Sequence, residues 1–114
     1  MKEVDLDNLS GDELVRVLAA LSNPHRLRIL AALAAGRVHV SQLARDVGLS
    51  RPLVHVHLQR LEAAGLVAGH LELSEAGKAM KFFEITPFVL RLTPAAVARA
   101  AETLDEKGRK EEAE

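Results

Sequence analysis

Apolar positions recur along this chain at two spacings, and the switches between them divide it into elements. Leu14, Val15, Leu18 and Leu21 fall at helical spacing behind Ser10-Gly11-Asp12-Glu13, whose serine and glutamate form a capping box. A first helix over 11–21 follows. Asn23-Pro24 supplies the cap and first position of a second helix containing Leu27, Ile29, Leu30 and Leu33, which Gly36 ends. Val38-His39-Val40 can add a short strand. Ser41 then stands where it can cap a helix carrying Leu43, Ala44 and Val47, and Gly48 suits a left-handed turn. Ser50 caps the next helix, in which Val54, Leu58 and Leu61 share one face until Gly65 stops it. Leu66-Val67 begins an extended run. His70–Leu73 and Lys81–Ile85 alternate in the strand period around Ser74-Glu75-Ala76-Gly77-Lys78, a hairpin pattern. Thr93-Pro94 opens a last helix whose Val97, Ala100, Ala101 and Leu104 align on one face.

The order is helix, helix, short strand, helix, helix, hairpin, helix. It predicts a mainly α fold with a small β-hairpin wing: a winged helix-turn-helix with added N- and C-terminal helices. Residues 1–10 are expected to be a flexible acidic N-terminus, 11–104 the folded domain, and 105–114 a charged, disordered tail.

Charge distribution changes the picture more than net charge does. The formal net charge of the 114-residue chain is only −1, which argues against a nucleic-acid binder. Residues 1–13, however, hold five acids and one lysine, and residues 102–114 hold six acids and three bases. Residues 14–101 carry eleven Lys/Arg against five Asp/Glu, a basic centre of the kind that meets a phosphate backbone. A hydrophobic content of 48% supports one modest core, marginal without oligomerisation. The chain has no cysteine, which excludes disulfides, thiolate metal sites and thiol switches. An acidic N-terminus and the lack of a membrane-length apolar run lead to an expected cytoplasmic location with no membrane partner.

Three segments carry a family resemblance: Leu21-Ser22-Asn23-Pro24-His25-Arg26-Leu27-Arg28-Ile29-Leu30, then Leu49-Ser50 ahead of His57-Leu58, then Leu61-Glu62-Ala63-Ala64-Gly65-Leu66-Val67. Together, over roughly residues 14–90, they resemble the ArsR-type winged-helix transcriptional regulators. The resemblance implies a homodimer on a palindromic operator, usually a repressor released by a ligand, with the terminal helices as dimerisation elements. Leu14, Leu18 and Leu21 of the first helix and Val97, Ala101 and Leu104 of the last are the expected dimer face.

Projection of the 51–63 helix at about 100° per residue turns Pro52, His55, Val56, Gln59 and Ala63 outward, with Arg51 and Arg60 at the borders of that arc. Glutamine can bond adenine, arginine guanine or phosphate, and valine a thymine methyl. The candidate DNA contacts are therefore Arg51, Pro52, His55, Val56, Gln59 and Arg60, joined by Ser41 and Gln42 and by wing residues Lys78 and Lys81. Proline at 52 cannot bond a base but fits a first helical turn. Arg26 and Arg28 are backbone-contact candidates, although Arg28 can instead cover apolar surface with its stem. His55 and His70 would face DNA, and a nearby polyanion favours the charged imidazole. Binding is then expected to strengthen as pH falls from about 8 to 6.

Many ArsR-type proteins sense metals, yet the residues do not support a metal site here. Residues 93–114 contain no histidine, and His55 and His57 point about 200° apart on one helix. A site shared between subunits through His25 or His39 is the remaining arrangement. No nucleophile–base order or glycine-rich phosphate loop points to an enzyme, and no cofactor is indicated. Two other readings use the same fold: a protein–protein module, which would expose large apolar residues on the outward arc, and a sequence-indifferent DNA-coating protein, which would be more basic overall.

Overall fold

The computed structural model describes residues 4–5 and 9–104. In chain order these form strand β1 (Val4–Asp5), helices α1 (Gly11–Leu21) and α2 (Pro24–Leu33), strand β2 (Val38–His39), and helices α3 (Val40–Val47) and α4 (Arg51–Ala63). Strands β3 (Val67–Leu73), β4 (Ala79–Ile85) and β5 (Phe88–Val89) and helix α5 (Pro94–Ala101) follow. This is the expected winged helix-turn-helix. The tail expected over 105–114 lies outside the described residues. Within the acidic N-terminal stretch, expected to lack regular structure, β1 pairs in parallel with β5, Val4 opposite Phe88.

Local chemistry explains most element starts. Ser10 Oγ accepts from the Glu13 amide at 3.1 Å while the Glu13 carboxylate accepts from the Ser10 amide at 3.0 Å. Those bonds from Ser10 hold the Glu13 carboxyl below its ordinary pKa. Asn23 Oδ1 accepts from the His25 and Arg26 amides, and Thr93 Oγ1 from Ala96. Ser50 Oγ accepts from Leu53, as its position suggested. Ser41 does not cap α3. The cap lies two residues earlier, at His39, whose Nδ1 accepts from the Gln42 amide at 3.2 Å. The reason is tertiary. His39 is the last residue of β2, paired with Phe82, and the edge-to-face contact of the two rings at 5.8 Å holds the imidazole where the helix begins.

Helices α2, α3 and α4 enclose the core with the base of the sheet. Ile29, Leu33, Leu43, Val54, Leu58, Leu61 and Leu66 are each almost wholly removed from solvent, and burial of such side chains contributes about 1.5–3 kcal/mol apiece. The αL turn at Gly48 (φ +70°) joins α3 to α4; a Cβ there would be strained by backbone geometry alone. The three-stranded antiparallel sheet has the order β2-β4-β3, with Val67 opposite Ile85 at its base and Leu73 opposite Ala79 near its tip.

Helix α1 lays Val17 and Ala20 on this core, while Leu14 is buried outside it, near Ala96 and Ala100 of α5. The two terminal helices approach closely at Gly11, where a Cβ would lie 2.4 Å from the Ala100 carbonyl oxygen and 2.6 Å from Leu104 Cδ2. The last helix stops at Ala101 instead of running to 104. Its final residues close i→i+3 turns, and Thr103 Oγ1 accepts from the Gly11 amide at 2.7 Å. An unpaired donor at the start of α1 thus draws the chain out of α-helical geometry. Of the expected dimer face, Leu14 is covered within the chain, Leu21 and Leu104 are half-buried, and Leu18, Val97 and Ala101 are exposed.

Candidate nucleic-acid interface

Helix α4 presents two different faces because its apolar residues are spaced four and three apart. Val54, Leu58 and Leu61 face inward at 0% exposure, and Arg51, Pro52, His55, Val56, Gln59 and Arg60 are all exposed. The hairpin stands beside the N-terminal half of this outward face. Between them lies a cleft of about 260 Å³, bounded by His39 and Ser41 at the start of α3, by Arg51 and His55 of α4, and by Lys78 and Lys81 of the wing. No carboxylate lines it.

Packing holds the cations of this cleft in place. Arg51 Nη1 donates to Ser41 Oγ at 3.4 Å, which ties the first turn of α4 to that of α3. Lys81 Nζ lies 5.4 Å from the centroid of the buried Phe83 ring, a cation–π contact that aligns the lysine along the sheet. Lys78 follows the Ser74–Gly77 turn, where Ser74 Oγ accepts from the Lys78 amide at 3.0 Å.

Other expected residues are placed differently. Gln42 has its amide engaged along α3, donating to Asp46 at 2.7 Å and accepting from Arg45 at 2.8 Å, and it does not line the cleft. His70 pairs with Glu84 on the neighbouring strand at 2.8 Å, so it faces a carboxylate where a phosphate was expected. Arg26 is turned inward. Its Nε donates to the Ala20 carbonyl at 2.7 Å and Nη2 to that of Ala19 at 3.2 Å, closing the end of α1, which has no basic residue in its own last turn. Nη1 of the same guanidinium meets His57 Nδ1 at 3.2 Å. Burial, followed by the charges of Arg26, His25 and Arg60, holds the His57 imidazole below its ordinary pKa.

Arg60 is separated from the other α4 candidates. It lies nine residues beyond Arg51, about 13 Å along the helix axis, and lines a second concavity with Arg16 and Arg26. Sequence reasoning missed Arg26 as a cap and His39 as a helix start. The available signals were a helix end without a base of its own and a polar residue immediately ahead of Val40. Among the described residues, no group of three or more His, Asp or Glu side chains is arranged to hold a metal ion, and no helix is long and apolar enough to cross a membrane.

The fold is that of a winged helix-turn-helix protein. Residues 23–68 match the bacterial regulatory protein arsR family. An uncharacterized helix-turn-helix-type transcriptional regulator of Methanocaldococcus jannaschii, MJ0229, is 38% identical over 76 residues, covering 67% of this chain and 79% of that protein. The regulator CmtR of Mycobacterium tuberculosis is 44% identical over 59 residues, and the match spans half of its length. Among solved structures, the homodimeric winged helix-turn-helix DNA-binding domain of Mb0332 from Mycobacterium bovis, described as a possible ArsR-family regulator, superposes with a TM-score of 0.56 at 25% identity. That superposition covers 89% of this chain and 81% of the other. The chain belongs to the arsR family of bacterial regulatory proteins, which are transcriptional regulators and not enzymes.

Proposed function

We propose that this protein is a homodimeric, sequence-specific regulator that binds double-stranded DNA at a palindromic operator and represses transcription there. The observation that carries the reading is the carboxylate-free cleft between α4 and the wing, with Arg51, His55, Lys78 and Lys81 on its walls. In this reading α4 enters the major groove, with Arg51, His55, Val56 and Gln59 at base edges behind Pro52, and Lys78 and Lys81 lie along the backbone. A homodimer is supported by the large apolar side chains left exposed on the terminal layer: Val15 at 57%, Leu18 at 38%, Leu92 at 49% and Val97 at 48%. These belong to α1, α5 and the segment leading into α5. The partner is a second copy joined through that layer, with Leu18, Val97 and Ala101 in the contact, and a small effector controls release.

A gel-shift against the DNA upstream of the protein's own gene tests the reading, with sedimentation at micromolar concentration testing the dimer. Specific retardation and a dimer are expected. Retardation of all sequences alike would favour a DNA-coating role. Failure to bind DNA, with capture of a partner protein through Val56, would favour an interaction module.

A further inference from the structure

The second concavity lies toward the C-terminal end of α4, away from the DNA cleft. It encloses about 300 Å³ between Arg16 of α1, Arg26 of α2 and Arg60 of α4, and its remaining walls are Ala19, Ala20 and Ala63. Three arginines from three helices line it, and no acidic residue is on its wall. Two carboxylates lie one turn before Arg16 on α1, Asp12 and Glu13, and that of Glu13 accepts from the Ser10 amide in the capping box. Part of the Arg26 charge is spent on the terminal carbonyls of α1. Arg16 and Arg60 are exposed, and they line the pocket from two different helices, α1 and α4. His57 borders the site, with its Nδ1 3.2 Å from Arg26 Nη1; burial first, and then the charges of Arg26, His25 and Arg60, lower its pKa. Methyl walls let an occupant approach closely, and a guanidinium pair matches the paired oxygens of a carboxylate or phosphate.

We infer that this pocket is a binding site for a small oxyanion, a phosphate ester or a di- or tricarboxylate, gripped by Arg16 and Arg60 above the fixed guanidinium of Arg26. Such a ligand ties α1, on the terminal layer, to α4, the helix of the DNA cleft. By linkage, its affinity and that for DNA are coupled. Only that regulatory consequence rests on the DNA-binding reading above; the anion site stands without it.

The test is an amide NMR titration of the full chain with inorganic phosphate and, separately, with citrate, ionic strength being held constant with chloride. The expected result is saturable shifts at Arg16, Ala19, Arg60 and Ala63 with one or both anions, and a rise in the His57 imidazole pKa at saturation. Phosphate alone or citrate alone would name the ligand class. Arg16→Gln and Arg60→Gln should each weaken binding about tenfold or more, the size of a lost charged hydrogen bond. Both residues are exposed, so the variants should fold, whereas Arg26 closes α1 and is left intact. Non-saturating shifts, or shifts centred on Arg51, Lys78 and Lys81, would overturn the site. So would an Arg60→Gln variant that, without any anion, lost DNA affinity as Arg51→Ala does, since the pocket would then be part of the DNA track. A failed gel-shift beside a successful titration removes only the regulatory consequence, whereas a failed titration beside a specific gel-shift removes the anion site and its coupling and leaves the DNA-binding reading intact.

Discussion

The helix-turn-helix core and the terminal layer are built from similar apolar side chains, yet the first buries a continuous cluster of them and the second buries few. In the core, α2, α3 and α4 pack together with Ile29, Leu33, Leu43, Val54, Leu58 and Leu61 almost wholly covered, while Leu27, Leu53 and Val56 on their outer sides stay exposed. In the terminal layer, α1 and α5 touch at Gly11 and Ala100, and of α5 only Ala100 is buried. The two parts draw their stability from different sources. Core burial is intramolecular and independent of concentration, whereas a layer with Val15, Leu18, Leu92 and Val97 still in water gains from association.

The largest expected effect breaks the core. Leu58→Ala leaves a cavity at a site of 0% exposure and should cost about 2–5 kcal/mol in urea unfolding. Val97→Ala, by contrast, should alter monomer stability by no more than about 0.5 kcal/mol while lowering the dimer fraction in sedimentation. A Val97 variant as destabilising as the Leu58 variant would erase the distinction between the two regions.

Gly11→Ala attacks a tight contact of the terminal layer. The added methyl meets the Ala100 carbonyl and Leu104, so α5 must move, at about 1–3 kcal/mol. Hydrogen exchange should show protection lost in α5 and kept in α4. Equal loss in both would mean that the layer and the core unfold as one.

On the outer side of the core helix, Arg51→Ala should cost about 1–3 kcal/mol of specific DNA binding and leave urea stability within about 0.5 kcal/mol. Lys78→Ala should weaken all sequences alike and lower the salt slope by about one.

The smallest effect is a pH response where the two regions meet. His57 is held neutral by burial and by Arg26, so its folded pKa lies below its unfolded one. Its contribution is fully present above about pH 6.5, the unfolded value, and is lost as pH falls from there toward the folded value. Unfolding curves should therefore weaken below that point, and His57→Gln should reduce the slope. An unchanged slope in the variant would assign the acid sensitivity elsewhere.

Much of this architecture is legible along the chain because its determinants are local. Ser10 with Glu13, Asn23 with Pro24, Ser50 and Thr93 mark helix starts through bonds spanning two or three residues. The 4-3 spacing of Val54, Leu58 and Leu61 determines by itself which side of α4 faces out. Tertiary structure decided what depends on partners distant in sequence. His39 took the cap from Ser41 because Phe82 lies beside it, α5 ended early because Thr103 answers the Gly11 amide, and Arg26 turned inward to the open carbonyls of α1. The cleft and the arginine pocket have the same origin. Each joins charges from separate elements, and a charge has no periodicity along the chain to announce which others it will meet.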